Sequence, residues 1–590
     1  MSFDILSIKS PEFLKQLNIE ELNQLCNDIR SFIIENVSKT GGHLSSNLGV
    51  IEATVALHYV FNSPKDKIIF DVSHQTYAHK LITGRSLDNL RVLGGVSGFS
   101  KMSESEHDCF EAGHSSTSIS AAIGFLEAKK TNKDIGHVIS IIGDASITNG
   151  LSFEALNYLG AKNNQKAIII LNDNQMGVSK SVGSLALSFN KIRAKGSLKF
   201  LRKITPKGIK KMLKSFAYRQ NIFEYLGFRY FEGIDGHNIK ELIKYLSFAK
   251  ESNKSVVLHI KTIKGKGYKF AEEDSSGYWH SVDPFNIDTG ICKNENCYKS
   301  FGLAIANHLG EKIEEGLNNI RVITPAMTLG SGLKDFSVNY KDNFIDVGIA
   351  EENAVTMSSS MALAGLRPFV FVYSTFLQRA YDEILHDVAR PNLPVVFCID
   401  RAGIIDGDGD THQGIFDVSF LSTMPNVEIL APKNIIDAKK AVDYALMKSN
   451  PVAIRYAKKD ENVNLFSESN FSKWDLIKDG DVLIISYGNL LSTIYETIKN
   501  INVALCNAHN LSIIDKDLLL KYKKVIVIEE VIDALSLSNK IINYVYKEKI
   551  DIKVSSYNIG MNYLETGSKE DLLNKYIGDI ASIIRKEAKC

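Results

Sequence analysis

The feature that most restricts the fold is a series of short, continuously apolar runs, each closed by a polar or glycine-bearing break and followed by residues with helical spacing. They read "VISIIGD", "AIIILND", "SVVLHIKT", "FIDVG", "PFVFVYS", "PVVFCID", "DVLIISYG" and "KKVIVIEE". A strand with one face in water alternates apolar and polar residues, whereas a strand that is apolar throughout is covered on both faces. Continuous strands alternating with helices therefore predict parallel sheets sandwiched between helices, the doubly wound α/β class. A chain of 590 residues is too long for one core, and about 150 residues per domain suggests three or four units. Two polar, turn-rich stretches, "DTGICKNENCYKS" (288–300) and "FSESNFSKWD" (466–475), supply the seams. The expected organisation is three α/β domains with mostly parallel sheets, spanning 1–300, 301–465 and 466–590.

Charge and cysteine content narrow the function classes. The formal net charge is +1, so no global field recruits nucleic acid or a membrane surface. The seven cysteines fall at 26, 109, 292, 297, 398, 506 and 590, without the spacing of a disulfide framework, as in a reducing compartment. The N-terminus lacks a basic start followed by an apolar core, and no stretch approaches the roughly 18 apolar residues of a membrane span. A cytoplasmic protein is expected. One segment departs from the even charge: Asn174 to Phe223 holds no acidic residue and includes "NKIRAKGSLKFLRKITPKGIKKMLK". Aromatics are not interleaved there as a single-strand nucleic-acid binder requires. The segment, about 180–223, reads as a basic insertion over an anionic substrate channel or as a solvated helix face.

Chemistry concentrates where strands end. In open parallel sheets, ligands collect at the carboxyl ends of strands. "HVISIIGDASITNG" (137–150) delivers Asp144 to such an end, and "AIIILNDN" delivers Asn174 to another. A carboxylate, a carboxamide oxygen and a backbone carbonyl are hard oxygen ligands suited to Mg²⁺ carrying a diphosphate.

Gly143-Asp144 followed by Asn174 resembles the thiamine-diphosphate signature, in which the Asp, the Asn and a following backbone carbonyl, here that of Met176, bind Mg²⁺. Longer blocks narrow the resemblance: "GGHLSSNLGVIEATVALHYVFNSPKDKIIFDVSHQTYAHKLITGR" (41–85), "GHSSTSISAAIG" (113–124), "DVGIAEENAVT" (346–356), "YSTFLQRAYDEILHDVA" (373–389) and "IDRAGIIDGDGDTHQG" (399–414). In this order they resemble the 1-deoxy-D-xylulose-5-phosphate synthase family over nearly the whole chain. Transketolase shares the architecture, with a different histidine set and different phosphate-binding segments, and is the alternative as a ketol transferase. The resemblance implies three transketolase-like domains: one for the cofactor's diphosphate and Mg²⁺, one for its pyrimidine, and a C-terminal one. It also implies a homodimer and two substrates, pyruvate and D-glyceraldehyde 3-phosphate. These are joined with loss of CO₂ to 1-deoxy-D-xylulose 5-phosphate, the entry compound of non-mevalonate isoprenoid synthesis and a precursor of thiamine and pyridoxal.

The resemblance carries roles onto matching residues. Glu351 in "IAEEN" is the glutamate that meets the aminopyrimidine ring; Glu352, its neighbour, points elsewhere on any regular backbone. Phe376 stacks on the pyrimidine. His43, His74, His280, His412 and Asp408 match active-site positions, and Arg379 matches an arginine near the pyruvate carboxylate. Tyr373, Arg401 and Arg455 match the acceptor-phosphate site, for which guanidinium forks are suited. The diphosphate is expected to meet His74, Gly113, His114, Ser115, Asp144, Ala145, Ser146 and Asn174, with Tyr268 nearby.

Several positions depart from the family pattern: Ser73, Asn47, Ala145 and Asn353, and "IEEVIDALSLSNK" where a glycine-rich turn is usual. None removes a named chemical group. Ala145 is the sharpest. A positive φ there would cost about 1 to 2 kcal/mol for its methyl group, and a negative φ next to nothing.

Overall fold

The computed structural model describes residues 2–162, 164–174, 221–274, 277–292, 300–460 and 469–589. The basic stretch 175–220 and Met176 lie outside the described residues, as does Cys297. The chain divides into two compact units, residues 1–91 with 95–294, and 92–94 with 295–590.

The first unit is built on β1 (Lys67–Phe70), β2 (Val138–Gly143), β3 (Ala167–Asp173), β4 (Arg229–Asp235) and β5 (Val256–Lys261), in the order β1-β2-β3-β5-β4. Every pairing is parallel. Two apolar layers cover the sheet. Side chains such as Ile139, Ile141, Ile168 and Ile170 pack on one face, and Val138, Ile142, Ile169 and Leu171 on the other. That division follows from strand alternation and explains why β2 and β3 are apolar at nearly every position. The helix Ile19–Thr40 begins with a capping box: Asn18 accepts from the Glu21 N–H while Glu21 accepts from the Asn18 N–H.

The second unit holds two sheets. β6 (Ile320–Thr324), β7 (Phe344–Asp346), β8 (Arg367–Tyr373), β9 (Val396–Asp400), β10 (Glu428–Leu430) and β11 (Val452–Arg455) run in the order β10-β11-β9-β8-β6-β7, all parallel. β12 (Asp475–Lys478), β13 (Leu483–Ser486), β14 (Ala504–Asn507), β15 (Lys524–Ile528) and β16 (Lys553–Tyr557) follow in the order β12-β14-β13-β15-β16, with only the edge strand β12 antiparallel. One core cluster takes Phe397, Ile399 and Ala453 from the first of these sheets together with Leu483, Ile485 and Val527 from the second. The two sheets of this unit thus share buried surface. Among the described residues no helix is long and apolar enough to cross a membrane.

Candidate functional site

In the first unit the matched residues converge at the carboxyl ends of β1, β2 and β3. His43, His74 and His280 form a triangle, with ring centroids 5.3 Å apart for His43–His74, 5.7 Å for His43–His280 and 5.1 Å for His74–His280. Phe99 closes against His43 at 5.3 Å. The backbone explains how residues from such distant positions meet. Gly42 and Val282 exchange N–H···O bonds of 2.8 and 2.9 Å, which sets His280 beside His43. Gly41 (φ +73°) and Gly42 (φ +139°) have no side-chain room: a Cβ would lie 2.7 Å from the Val282 carbonyl oxygen and 2.8 Å from the Tyr77 hydroxyl, respectively. The glycine pair is therefore required both by conformation and by close approach.

Asn47 completes the arrangement. Its fully buried amide donates to the carbonyls of His43 (2.6 Å) and His74 (2.8 Å), and its oxygen accepts from the Tyr77 N–H (2.8 Å). The departure noted at this position thus fastens two histidine-bearing segments together. Sequence reading gave Asn47 no role, because nothing local shows that two of its three partners lie 27 and 30 positions away.

Asp144 is buried at the end of β2 and donates its N–H to the Asn172 carbonyl at 3.1 Å, one step beyond the Gly143–Asn172 register. Asp144 and Asn174 therefore leave adjacent strands at the same sheet edge. Ala145 has φ −76° and ψ −43°, an ordinary right-handed helical conformation in which its methyl group is unstrained. Ser146 opens the short 3₁₀ turn that follows. Gly113, His114 and Ser115 form the turn leading to Ser116 (φ +77°) and the helix Ser118–Ala128. A buried carboxylate that sequence reading missed, Asp71 at the end of β1, accepts from the N–H groups of Ser116 (2.8 Å) and Ser118 (3.2 Å). The Ser116 hydroxyl donates to the Ser146 carbonyl at 2.9 Å, and Ser152 donates to both the Ser116 and Ser146 carbonyls. The two turns matched to the diphosphate are thereby braced as one piece. Tyr268 spends its hydroxyl on the Ile287 carbonyl (2.9 Å) and packs its ring against Trp279 and Phe285.

These donors fit a magnesium diphosphate. Among the described residues no group of three or more His, Cys, Asp or Glu could hold a metal ion by itself. A site with one carboxylate and one carboxamide suits Mg²⁺, which keeps water and substrate phosphate oxygens in its shell. Burial pushes the Lys264 ammonium down, while the carboxylates of Asp274 and Asp144 act to keep it charged.

The second unit gathers the charged residues. Glu351 is the first residue of the helix Glu351–Leu363 and is only 4% exposed, whereas Glu352 is half-buried and Asn353 exposed. Burial pushes the Glu351 carboxyl up to about 7, against the pull of Arg379, whose guanidinium stands 3.8 Å away. Its Oε2 is buried without a hydrogen bond. A neutral or proton-sharing carboxyl is the donor that a ring nitrogen requires, so the residue fits the pyrimidine of thiamine diphosphate.

Phe376 stands edge-on to His412 at 5.6 Å and stacks on Tyr373 at 5.7 Å, and the Arg401 guanidinium lies over the Tyr373 ring at 4.0 Å. Arg401 has φ +56° and reaches to within 4.0 Å of Asp408. Burial pushes the Tyr373 hydroxyl up to about 12 and the Asp400 carboxyl up to about 6. Arg455 ends β11 beside β9, where Ile399 is its register partner. It is 6% exposed and bound in bidentate fashion to buried Asp417, at 3.0 and 3.3 Å, with the Tyr487 ring 5.4 Å away. Tyr373, Phe376, Arg401, Asp408 and His412 are thus brought together, as are Glu351 and Arg379, while Arg455 already holds a carboxylate.

The profile described as 1-deoxy-D-xylulose-5-phosphate synthase matches residues 5–262, the transketolase pyrimidine binding domain matches 300–462, and the transketolase C-terminal domain matches 472–583. The chain is 42% identical to the 1-deoxy-D-xylulose-5-phosphate synthase of Clostridium tetani, with 98% of each chain covered. It is 41% identical to that of Clostridium acetobutylicum over 97% of each. To that of Listeria welshimeri it is 43% identical, over 88% of this chain and 86% of the relative.

Proposed function

The chain belongs to the 1-deoxy-D-xylulose-5-phosphate synthase family, and from that premise we propose that it joins pyruvate to D-glyceraldehyde 3-phosphate with loss of CO₂, giving 1-deoxy-D-xylulose 5-phosphate. It is a transferase of the thiamine-diphosphate-dependent transketolase type. The product feeds non-mevalonate isoprenoid synthesis and supplies thiamine and pyridoxal synthesis. We further infer a cytoplasmic homodimer that needs Mg²⁺ and is organised as a diphosphate domain (1–300), a pyrimidine domain (301–465) and a C-terminal domain (466–590).

The single observation that carries the reading is Glu351: a buried carboxyl raised to about 7, whose Oε2 has the Arg379 guanidinium at 3.8 Å and no hydrogen bond. Thiamine diphosphate, when bound, supplies the electron sink for loss of CO₂ from pyruvate. Glu351 holds a proton in common with a pyrimidine nitrogen, and Phe376 packs on the ring. Asp144, Asn174 and the carbonyl of Met176 hold Mg²⁺. His74, Gly113, His114, Ser115, Ala145 and Ser146 take the diphosphate, with Tyr268 alongside. His43, His74, His280 and His412 with Asp408 carry and fix protons around the substrates. Arg379 pairs with the pyruvate carboxylate, and Tyr373 and Arg401 with the acceptor phosphate. Arg455 serves that phosphate while remaining in its pair with Asp417, whose negative charge orients the guanidinium.

Release of CO₂ from labelled pyruvate tests the reaction. It is expected only when D-glyceraldehyde 3-phosphate, thiamine diphosphate and Mg²⁺ are all present. Ketol transfer from a sugar phosphate donor, without CO₂, would overturn the assignment in favour of a transketolase.

A further inference from the structure

The loop between β9 and the helix Asp417–Leu421 carries Arg401, Asp408 and His412, yet much of what shapes it comes from the C-terminal sheet region. At its neck Gly403 and Gly414 exchange N–H···O bonds of 2.7 and 3.0 Å. Inside it the buried Gln413 accepts from the Ile405 N–H (2.7 Å) and donates to the Ile405 and Asp408 carbonyls (3.1 and 3.2 Å). The Thr375 hydroxyl donates to the Thr411 carbonyl (2.8 Å) and the Ala402 N–H to the Tyr456 carbonyl (2.9 Å), and further ties reach residues from 484 onward. Ile404 and Ile415 insert into the core formed by Ile484, Ile526 and Ile528. The Glu530 carboxylate accepts from the Ile404 N–H at 3.4 Å and sits where a Cβ on Gly403 would meet it at 2.5 Å. Lys569 reaches Glu530 with its ammonium at 3.1 Å, and its backbone N–H donates to Asp406 at 3.0 Å. The Gly407 N–H donates to the Gly567 carbonyl (3.0 Å), and the Ile532 N–H to the Ile415 carbonyl (3.2 Å).

We propose that the C-terminal domain is the positioning element for the acceptor-binding loop Arg401–Gly414, and that Glu530 and Lys569 are its positioning residues. Neither residue touches substrate. Glu530 fixes the neck by holding the amide beside Gly403, and Lys569 neutralises Glu530 while its own main chain anchors Asp406, two residues before Asp408. Glu530 also adds to the field that keeps Arg455 cationic. The inference rests on the reading that this loop meets the phosphorylated acceptor.

The test is Lys569→Ala in the full-length enzyme with thiamine diphosphate and Mg²⁺, with Glu530→Gln as a second variant and Lys569→Arg as the conservative control. The KM for D-glyceraldehyde 3-phosphate is expected to rise about tenfold in Lys569→Ala and Glu530→Gln, with kcat within about twofold of native. Lys569→Arg is expected to restore most of the loss. Amide exchange at Ile404 and Gly407 should accelerate in Lys569→Ala, a readout that needs no turnover. An unchanged KM with unchanged exchange at these amides overturns the proposal, as does an equal fall in kcat for every acceptor. Arg401→Ala, measured in parallel, separates the premises: a raised acceptor KM there with none in Lys569→Ala sinks the positioning role alone. An unchanged KM in Arg401→Ala would instead remove the loop from the acceptor site.

Discussion

The histidines of the N-terminal unit are held through the main chain, whereas the reactive groups of the C-terminal unit are held by one another's charge. Around His43, His74 and His280 the fasteners are carbonyls, amides and two glycines: Asn47 on two carbonyls and Gly42 paired with Val282. Around Glu351 and Arg401 they are an arginine 3.8 Å from a carboxyl, a guanidinium over a tyrosine ring and a bidentate Arg455–Asp417 pair. The first kind of support is insensitive to pH over the neutral range and fails when geometry fails. The second answers to protonation.

Perturbations that exploit this difference fall in order of size. Glu351→Ala is expected to lower turnover by about a thousandfold or more, within the range of general acid–base contributions, with the circular dichroism spectrum unchanged. Appreciable CO₂ release by the folded variant would dissolve the contrast by showing that its charge is dispensable. Arg401→Ala should cost about 10- to 100-fold in kcat/KM for D-glyceraldehyde 3-phosphate, the equivalent of one charged hydrogen bond, and far less for unphosphorylated D-glyceraldehyde. Equal losses with both acceptors would take Arg401 away from the phosphate.

The stability of the cofactor-free protein provides the next test. Because the folded carboxyl of Glu351 is raised from 4.5 to about 7, its stabilising contribution is complete below pH 4.5 and is lost as pH rises to 7. Glu351→Gln cannot ionise, so between pH 4 and 8 its stability relative to native should improve by on the order of 3 kcal/mol, seen as diverging urea midpoints. Parallel pH curves would mean that the carboxyl is not raised. Asn47→Ala, by contrast, should lower kcat about tenfold at every pH, since it strips a bond from two buried carbonyls without changing any charge. A loss confined to one limb of the pH profile would move Asn47 from the main-chain class to the charge class. Least affected should be Ala145→Gly: with φ at −76°, thiamine diphosphate affinity is expected to stay within about threefold.

How much of this was legible in the sequence depended on where a residue sits. All eight apolar runs became strands, and seven of them are interior strands covered on both faces, as β3 shows with six of seven positions buried; the eighth, β7, is an edge strand half-buried at all three positions. The edge strands β4, β12 and β16 are largely exposed or half-buried, and their sequences "RYFEGID", "DLIK" and "KVSSY" carry no such run. The site shows the same division. Residue types that do chemistry stand in contiguous motifs and could be named from them. Asn47, Asp71, Ser116 and Gln413 stand inside those same motifs and Ser152 and Asp417 outside them, but the supporting roles of all six exist only as spatial pairings. The departure at Asn47 was visible, but its meaning required the carbonyls of two histidines to be in place.

The two-residue bridge between Gly42 and Val282 has a consequence for synthesis. Ser46 and His280, hydrogen-bonded at 3.4 Å, are 234 positions apart, so the histidine triangle closes one of the longest loops in its unit. Closing such a loop is entropically costly until the intervening sheet has formed. A nascent or truncated chain ending before that point therefore carries Asp144 and the diphosphate turns without the assembled histidines. Proton-handling capacity arrives last, as a mark that the unit is whole.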